Sequence, residues 1–172
     1  MSGTPGHDPQ EATEAAPLTR RLILLIASGG FVGYIPFASG TFGTLVAFPI
    51  FWLYEPFRHL SVPLYLLTYI GMVAAACWVA GRAEALTREH DSHKIVIDEI
   101  VGYLGATLFL APTWEHTLLA FFIFRALDVL KPFPAGWIDQ KMPGGAGVVL
   151  DDVVSGLYSN LVTRLVAGWL FT

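Results

Sequence analysis

The chain has 172 residues, 54% of them hydrophobic and 14% charged, with a net charge of −4. Soluble domains usually carry about 25% charged residues, so this composition belongs in or against a membrane. The acidic balance and the lack of a Lys/Arg cluster exclude a nucleic-acid binder, which needs cations to neutralise a phosphate backbone.

Residues 1–20, MSGTPGHDPQEATEAAPLTR, offer almost nothing apolar to bury and read as a disordered tail. Their acidic residues break the pattern of a signal peptide, so the tail is expected to stay on the protein. Arg20 and Arg21 precede LILLIA, and a short helix is expected from Leu22 to Ala27. A glycine-rich loop, GGFVGYIPFASGTFG, leads to a helix over Thr44 to Tyr54 with Pro49 inside it. No charge falls between Leu22 and Tyr54 or between Ser61 and Gly81, and the second run matches the roughly 20 residues that span a bilayer. Further helices are expected over Val62 to Leu86, Ile97 to Leu110, Thr117 to Leu130 and Val148 to Leu170. Only IVI at 95–97 hints at a strand, and lipid favours helices because they satisfy their own backbone groups. The expected fold is all-α, a polytopic helical membrane protein of about five to six helices, with residues 21–172 forming one membrane-embedded domain. Cys77, alone in MVAAACWVAG, reads as a small packing residue.

Positive charge sorts the loops. If the five later helices cross in succession, Arg20 and Arg21, then Arg82, Arg88 and Lys94, then Lys131 and Lys141 share one side, which is expected to be cytoplasmic. The opposite loops hold Arg58 beside His59, and APTWEH at 111–116 without Lys or Arg. Several apolar runs are short enough to be half-spans.

Five carboxylates stand in apolar surroundings: Asp98 and Glu99 in IVIDEIVG, Asp128 in FRALDVLKP, Asp151 and Asp152 in GVVLDDVVSG. Unpaired carboxylates are expensive to bury. Adjacent acids at a helix start project about 100° apart near the positive end of the helix dipole and can grip one cation from two directions. Asp151 and Asp152 repeat the arrangement at the start of the last expected helix, with Ser155 and Ser159 following. These acids are either caps and ion-pair partners of Arg125 and Lys131, or ligands of a hard cation such as Mg²⁺ or Mn²⁺. Two pairs plus Asp128 in one chain favour the metal.

Arg125 and Asp128 share a helix face, and Lys131 lies one turn on, before Pro132. Such a stripe is either a snorkelling ion pair or, beside a metal, a receptor for a phosphate ester. In the glycine-rich loop, Gly40 and Thr41 precede a helix start where free amides bind anions, though the spacing also suits a plain turn. His90 and Asp91 are candidates for a base or ligand and equally for solvated loop residues.

The order PFASGTFGTL, HDSHKIVIDEIVG, FRALDVLKPFP and GGAGVVLDDVVSG resembles the phosphatidylglycerophosphatase A family over nearly all of the chain after the tail. The first motif departs at Ser39-Gly40-Thr41, where the family usually has Pro-Gly-Thr. The resemblance implies a Mg²⁺-dependent phosphatase of the bacterial inner membrane that converts phosphatidylglycerophosphate to phosphatidylglycerol. The family's acidic positions fall on Asp98, Glu99, Asp128, Asp151 and Asp152, and its basic positions on Arg125 and Lys131.

Cys77 lacks the setting of a nucleophilic phosphatase cysteine, and no Asp-x-Asp string is present. Metal-activated water, with Arg125, Lys131, Gly40 and Thr41 holding phosphoryl oxygens, is the expected mechanism; a phospho-aspartyl route is the alternative. Two other classes compete with a phosphatase. One is a transporter or channel using membrane carboxylates as a cation path. The other is a metal-dependent lipid phosphotransferase, which would require an acceptor alcohol.

Overall fold

The computed structural model describes residues 17–88 and 92–170, and among them all regular structure is helical. Seven α-helices follow in order: α1 Pro17–Ala27, α2 Ser39–Tyr54, α3 Val62–Thr87, α4 Ile97–Thr107, α5 Trp114–Leu130, α6 Ala135–Lys141 and α7 Gly144–Leu170. Short 3-10 turns at Val32–Tyr34 and Glu55–His59 flank α2. His90 and Asp91 lie outside the described residues.

Helix ends follow local chemistry. Ser61 caps α3 by accepting from the Leu64 amide at 3.4 Å, with Pro63 in the first turn. Thr113 caps α5 in the same way through the His116 amide. Lys131 ends α5 in a left-handed conformation, φ 43°, directly before Pro132.

The helix count and several boundaries correct the sequence reading. The α6 helix is an addition to the expected set, so the described residues hold seven α-helices rather than five to six. α1 starts at Pro17 rather than Leu22, α2 at Ser39 rather than Thr44, α5 at Trp114 rather than Thr117, and α7 at Gly144 rather than Val148. α4 stops at Thr107 rather than Leu110, and Ile95 and Val96 form no strand but an irregular link between the turn at His93 and Lys94 and the helix, with the Val96 amide donating to Ala27 O at 2.9 Å.

α4 is the hub of the bundle, with nine of its eleven residues buried. On one side, Phe51, Tyr65, Tyr69, Tyr103, Leu104 and Phe124 join α2, α3, α4 and α5 in an aromatic core. On the other, Ile23, Ala27, Ala76, Ala80, Val101 and Val149 join α1, α3, α4 and α7. Glycine lets the backbones approach: a Cβ on Gly156 would collide with the Gly102 carbonyl, and one on Gly145 with the Cys77 carbonyl and the Gly81 amide. At its far end α4 is capped from α7. Asn160 Nδ2 donates to Ala106 O and Leu108 O, both at 2.9 Å, and Arg164 Nη2 donates to Leu108 O at 2.6 Å.

Among the described residues, α3 is the one helix long and apolar enough to cross a membrane. α4, at about 1.5 Å per residue, is only about 16 Å long and cannot cross the roughly 30 Å of hydrocarbon.

Candidate active site: an acidic cavity at the start of α4

The five carboxylates singled out in the sequence all line one cavity of about 220 Å³, together with Lys131, Ser39 and the Ser92–His93 pair. They arrive from three helices. Asp98 and Glu99 occupy the first turn of α4, and Asp128 the last turn of α5. Asp151 and Asp152 sit two turns inside α7, not at its start as expected, because the GGAG segment is itself helical. That segment is glycine-rich for contact: Gly145 meets α3, and a Cβ on Gly147 would collide with the Met142 carbonyl.

Asp98, Glu99 and Asp152 each present a carboxylate oxygen within 4.8 Å of the others, close enough to share one ion. Asp98 also accepts from the Glu99 amide at 3.0 Å. Buried acids so close repel one another strongly in a medium of low dielectric, and a cation relieves that repulsion. Two further acceptors await a partner: Glu99 Oε2 and Asp151 Oδ1 are buried with no hydrogen bond. An all-oxygen donor set with unused buried lone pairs fits Mg²⁺ or Mn²⁺.

The remaining acids are paired with cations. Arg125 Nη1 lies 2.5 Å from Asp128 Oδ2. Lys131 Nζ lies 2.7 Å from Asp151 Oδ2 and 2.8 Å from Asp139 Oδ1. Burial pulls the Lys131 pKa down, but the hydrogen bonds to Asp139 and Asp151 more than offset this and raise it above the ordinary lysine value. The ammonium therefore stays charged at any working pH.

The expected phosphate-holding positions divide. Lys131 is on the cavity wall; Arg125, Gly40 and Thr41 are not among the residues that line it. Gly40 instead packs beneath the site, where an added Cβ would collide with Glu99 Oε1 and come within 3.1 Å of Arg125 Nη2. It stands in the first turn of α2, whose first closing bond runs from the Phe42 amide to Ala38 O. The preceding amides, Ser39 to Thr41, are those an α-helix leaves without an internal acceptor.

Sequence reasoning passed over Ser92, His93 and Asp139. His93 stood beside the two loop residues that were considered. Asp139 carried no signal, being one acid in the polar stretch DQKMPGG, and only the fold brings it to Lys131.

Comparison with known proteins decides the kinship. The family model for phosphatidylglycerophosphatase A matches residues 25–167. The chain belongs to that family. It is 36% identical to phosphatidylglycerophosphatase A of Escherichia coli (strain K12) over 137 residues, covering 78% of this chain and 77% of the relative. It is 31% identical to the phosphatidylglycerophosphatase A of Haemophilus influenzae over 163 residues, covering 92% and 99%. A third relative, from Bacteroides thetaiotaomicron, is described as a candidate phosphatidylinositol-3-phosphatase and is 34% identical over 161 residues, covering 87% and 95%. No solved structure matches the chain. Membership of the family makes this chain a phosphatase, and all four motif segments that signalled the family fall within the matched residues.

Proposed function

We propose that the protein is a Mg²⁺-dependent lipid phosphomonoesterase that hydrolyses phosphatidylglycerophosphate to phosphatidylglycerol and inorganic phosphate. The observation that carries this reading is the grouping of Asp98, Glu99 and Asp152 around one point, with Lys131 on the same cavity wall. Those three carboxylates, joined by the free oxygen of Asp151, would hold the cation. Bound there, Mg²⁺ would lower the pKa of a water and neutralise charge on the phosphoryl oxygens.

The chain's own groups supply the rest. Lys131 donates from Nζ to a phosphoryl oxygen while keeping its carboxylate anchors. Arg125 pairs with Asp128, so that acid stays oriented when phosphate charge enters, and Gly40 leaves the room that Glu99 occupies. Water oxygen attacks phosphorus as the bond to the glycerol oxygen breaks, and the departing oxygen takes up the proton that the water gives up. A cavity of about 220 Å³ accommodates a phosphorylated head group and leaves the acyl chains outside.

The same reading places the protein in the bacterial inner membrane, crossing it several times with the cavity toward the cytoplasm. Its support is the apolar composition, the apolar α3 and the Lys/Arg excess of the loops that carry the site. The Bacteroides relative raises a second head group, a phosphoinositide.

The deciding experiment measures phosphate release by the purified protein in detergent, with Mg²⁺ or with EDTA, from phosphatidylglycerophosphate and from phosphatidylinositol 3-phosphate. Metal-dependent release from the first without any acceptor alcohol is expected. Release only from the second would move the substrate to the phosphoinositides, and release from neither would overturn the phosphatase reading.

A further inference from the structure

Among the described residues, Asp139 is the one acid in contact with the Lys131 ammonium that the proposed chemistry does not use. It lies on α6, and the segment leading there is built to fold back onto Lys131. Lys131 adopts a left-handed backbone, the Ala135 amide donates to Pro132 O at 2.8 Å, and the Ile138 amide donates to Pro134 O at 2.9 Å. Gly136 packs on the Lys131 carbonyl, where a Cβ would stand 2.7 Å from the oxygen. Ala135 is fully buried, and Tyr158 Oη of α7 donates to Phe133 O at 3.2 Å, which ties the turn to the helix that carries Asp151. The result is one ammonium gripped from two directions, by Asp139 on α6 and Asp151 on α7.

The two grips are not equivalent. Asp151 is buried, keeps a second oxygen unpartnered, and stands beside the cluster that would take the cation. Asp139 is about one third exposed and close to no other described cation. A lysine held by Asp151 alone would follow that carboxylate toward the cation, or leave the wall when phosphate enters.

We propose that Asp139 is a positioning residue for the phosphatase reaction, its carboxylate holding the Lys131 ammonium on the cavity wall where it meets the substrate's phosphoryl oxygen. The inference rests on the phosphatase reading. It predicts that loss of Asp139 weakens capture of phosphate more than it slows turnover, since the group that contacts phosphate remains but is no longer aimed.

The test compares Asp139→Asn, Asp139→Glu and wild type, all purified with Mg²⁺ in the same detergent. KM and kcat are measured on phosphatidylglycerophosphate, inhibition by inorganic phosphate is measured alongside, and the melting temperature is followed with and without phosphate. In Asp139→Asn, KM and the phosphate inhibition constant are expected to rise together by about tenfold, on the order of one lost charge-assisted hydrogen bond. The change in kcat is smaller, and Asp139→Glu recovers most of the loss. Unchanged KM and phosphate inhibition would overturn the proposal, as would a fall in kcat and melting temperature with KM untouched, which is the mark of a merely structural contact. If the wild type releases no phosphate, the phosphatase reading fails by itself, and the melting data still decide on Asp139. Phosphate would then have to stabilise the wild type more than Asp139→Asn, and an equal shift, or none, overturns the inference.

Discussion

Gly40 and Glu99 touch so closely across the α2–α4 interface that no side chain fits at residue 40 without displacing the Glu99 carboxylate. The obstacle is the tip of a flexible side chain and not a backbone, so the fold can yield while the site cannot. Gly40→Ala should melt close to the wild type yet lose roughly 100-fold in rate, the scale of an ångström-sized misplacement. Parallel melting curves and phosphate-release assays check it; full activity would mean that the position of Glu99 is immaterial.

Asp152 faces Asp98 and Glu99, so its charge is costly without a cation and valuable with one. In EDTA, Asp152→Asn should be at least as stable as the wild type because one repulsive charge has gone. Adding Mg²⁺ should raise the melting temperature of the wild type, by binding only the folded state, and leave the variant unmoved. Equal Mg²⁺ stabilisation of both proteins would remove Asp152 from the ligands.

The α4–α7 crossing gives the opposite pattern to Gly40. A Cβ on Gly156 meets the backbone carbonyl of Gly102, which has nowhere to go. Gly156→Ala should cost roughly 1–3 kcal/mol in stability by overpacking. Activity should fall with it, because α7 would carry Asp151 and Asp152 away from α4. Denaturation and phosphate release measured on the same preparation test both halves.

Asn160 lies at the end of α4 away from the cavity, and its amide serves two carbonyls. Asn160→Ala strands the Ala106 carbonyl, while Leu108 O keeps its bond from Arg164, and should cost roughly 1–3 kcal/mol, while the folded fraction keeps its kcat and KM. A large kinetic change without loss of stability would contradict this division of labour.

Much of the site was legible because charge inside apolar sequence is conspicuous. Asp98, Glu99, Asp128, Asp151 and Asp152 stood out for that reason, and the fold brings them to one cavity. What misled was glycine. Ser39 to Gly43 and Gly144 to Gly147 look like loops by intrinsic propensity, yet both are helical, since tight contacts with Glu99, Val96, Gly81 and Met142 outweigh the propensity cost. That error placed Asp151 and Asp152 at a helix tip instead of two turns within. α6 was hidden by its length of seven residues and by the prolines before it, and with it went the link between Asp139 and Lys131.

The meeting of Gly81 with Gly145 also sets an altitude. With backbone against backbone, α3 and α7 cannot slide past each other by a fraction of a turn without prising that contact apart. In the membrane setting proposed above, α3 would take its depth from the length of its apolar stretch, so α7 would inherit that depth and hold Asp151 and Asp152 at a constant level. On that reading the enzyme carries its own ruler, which would match the height of its acids to that of a phosphate borne on a lipid head group.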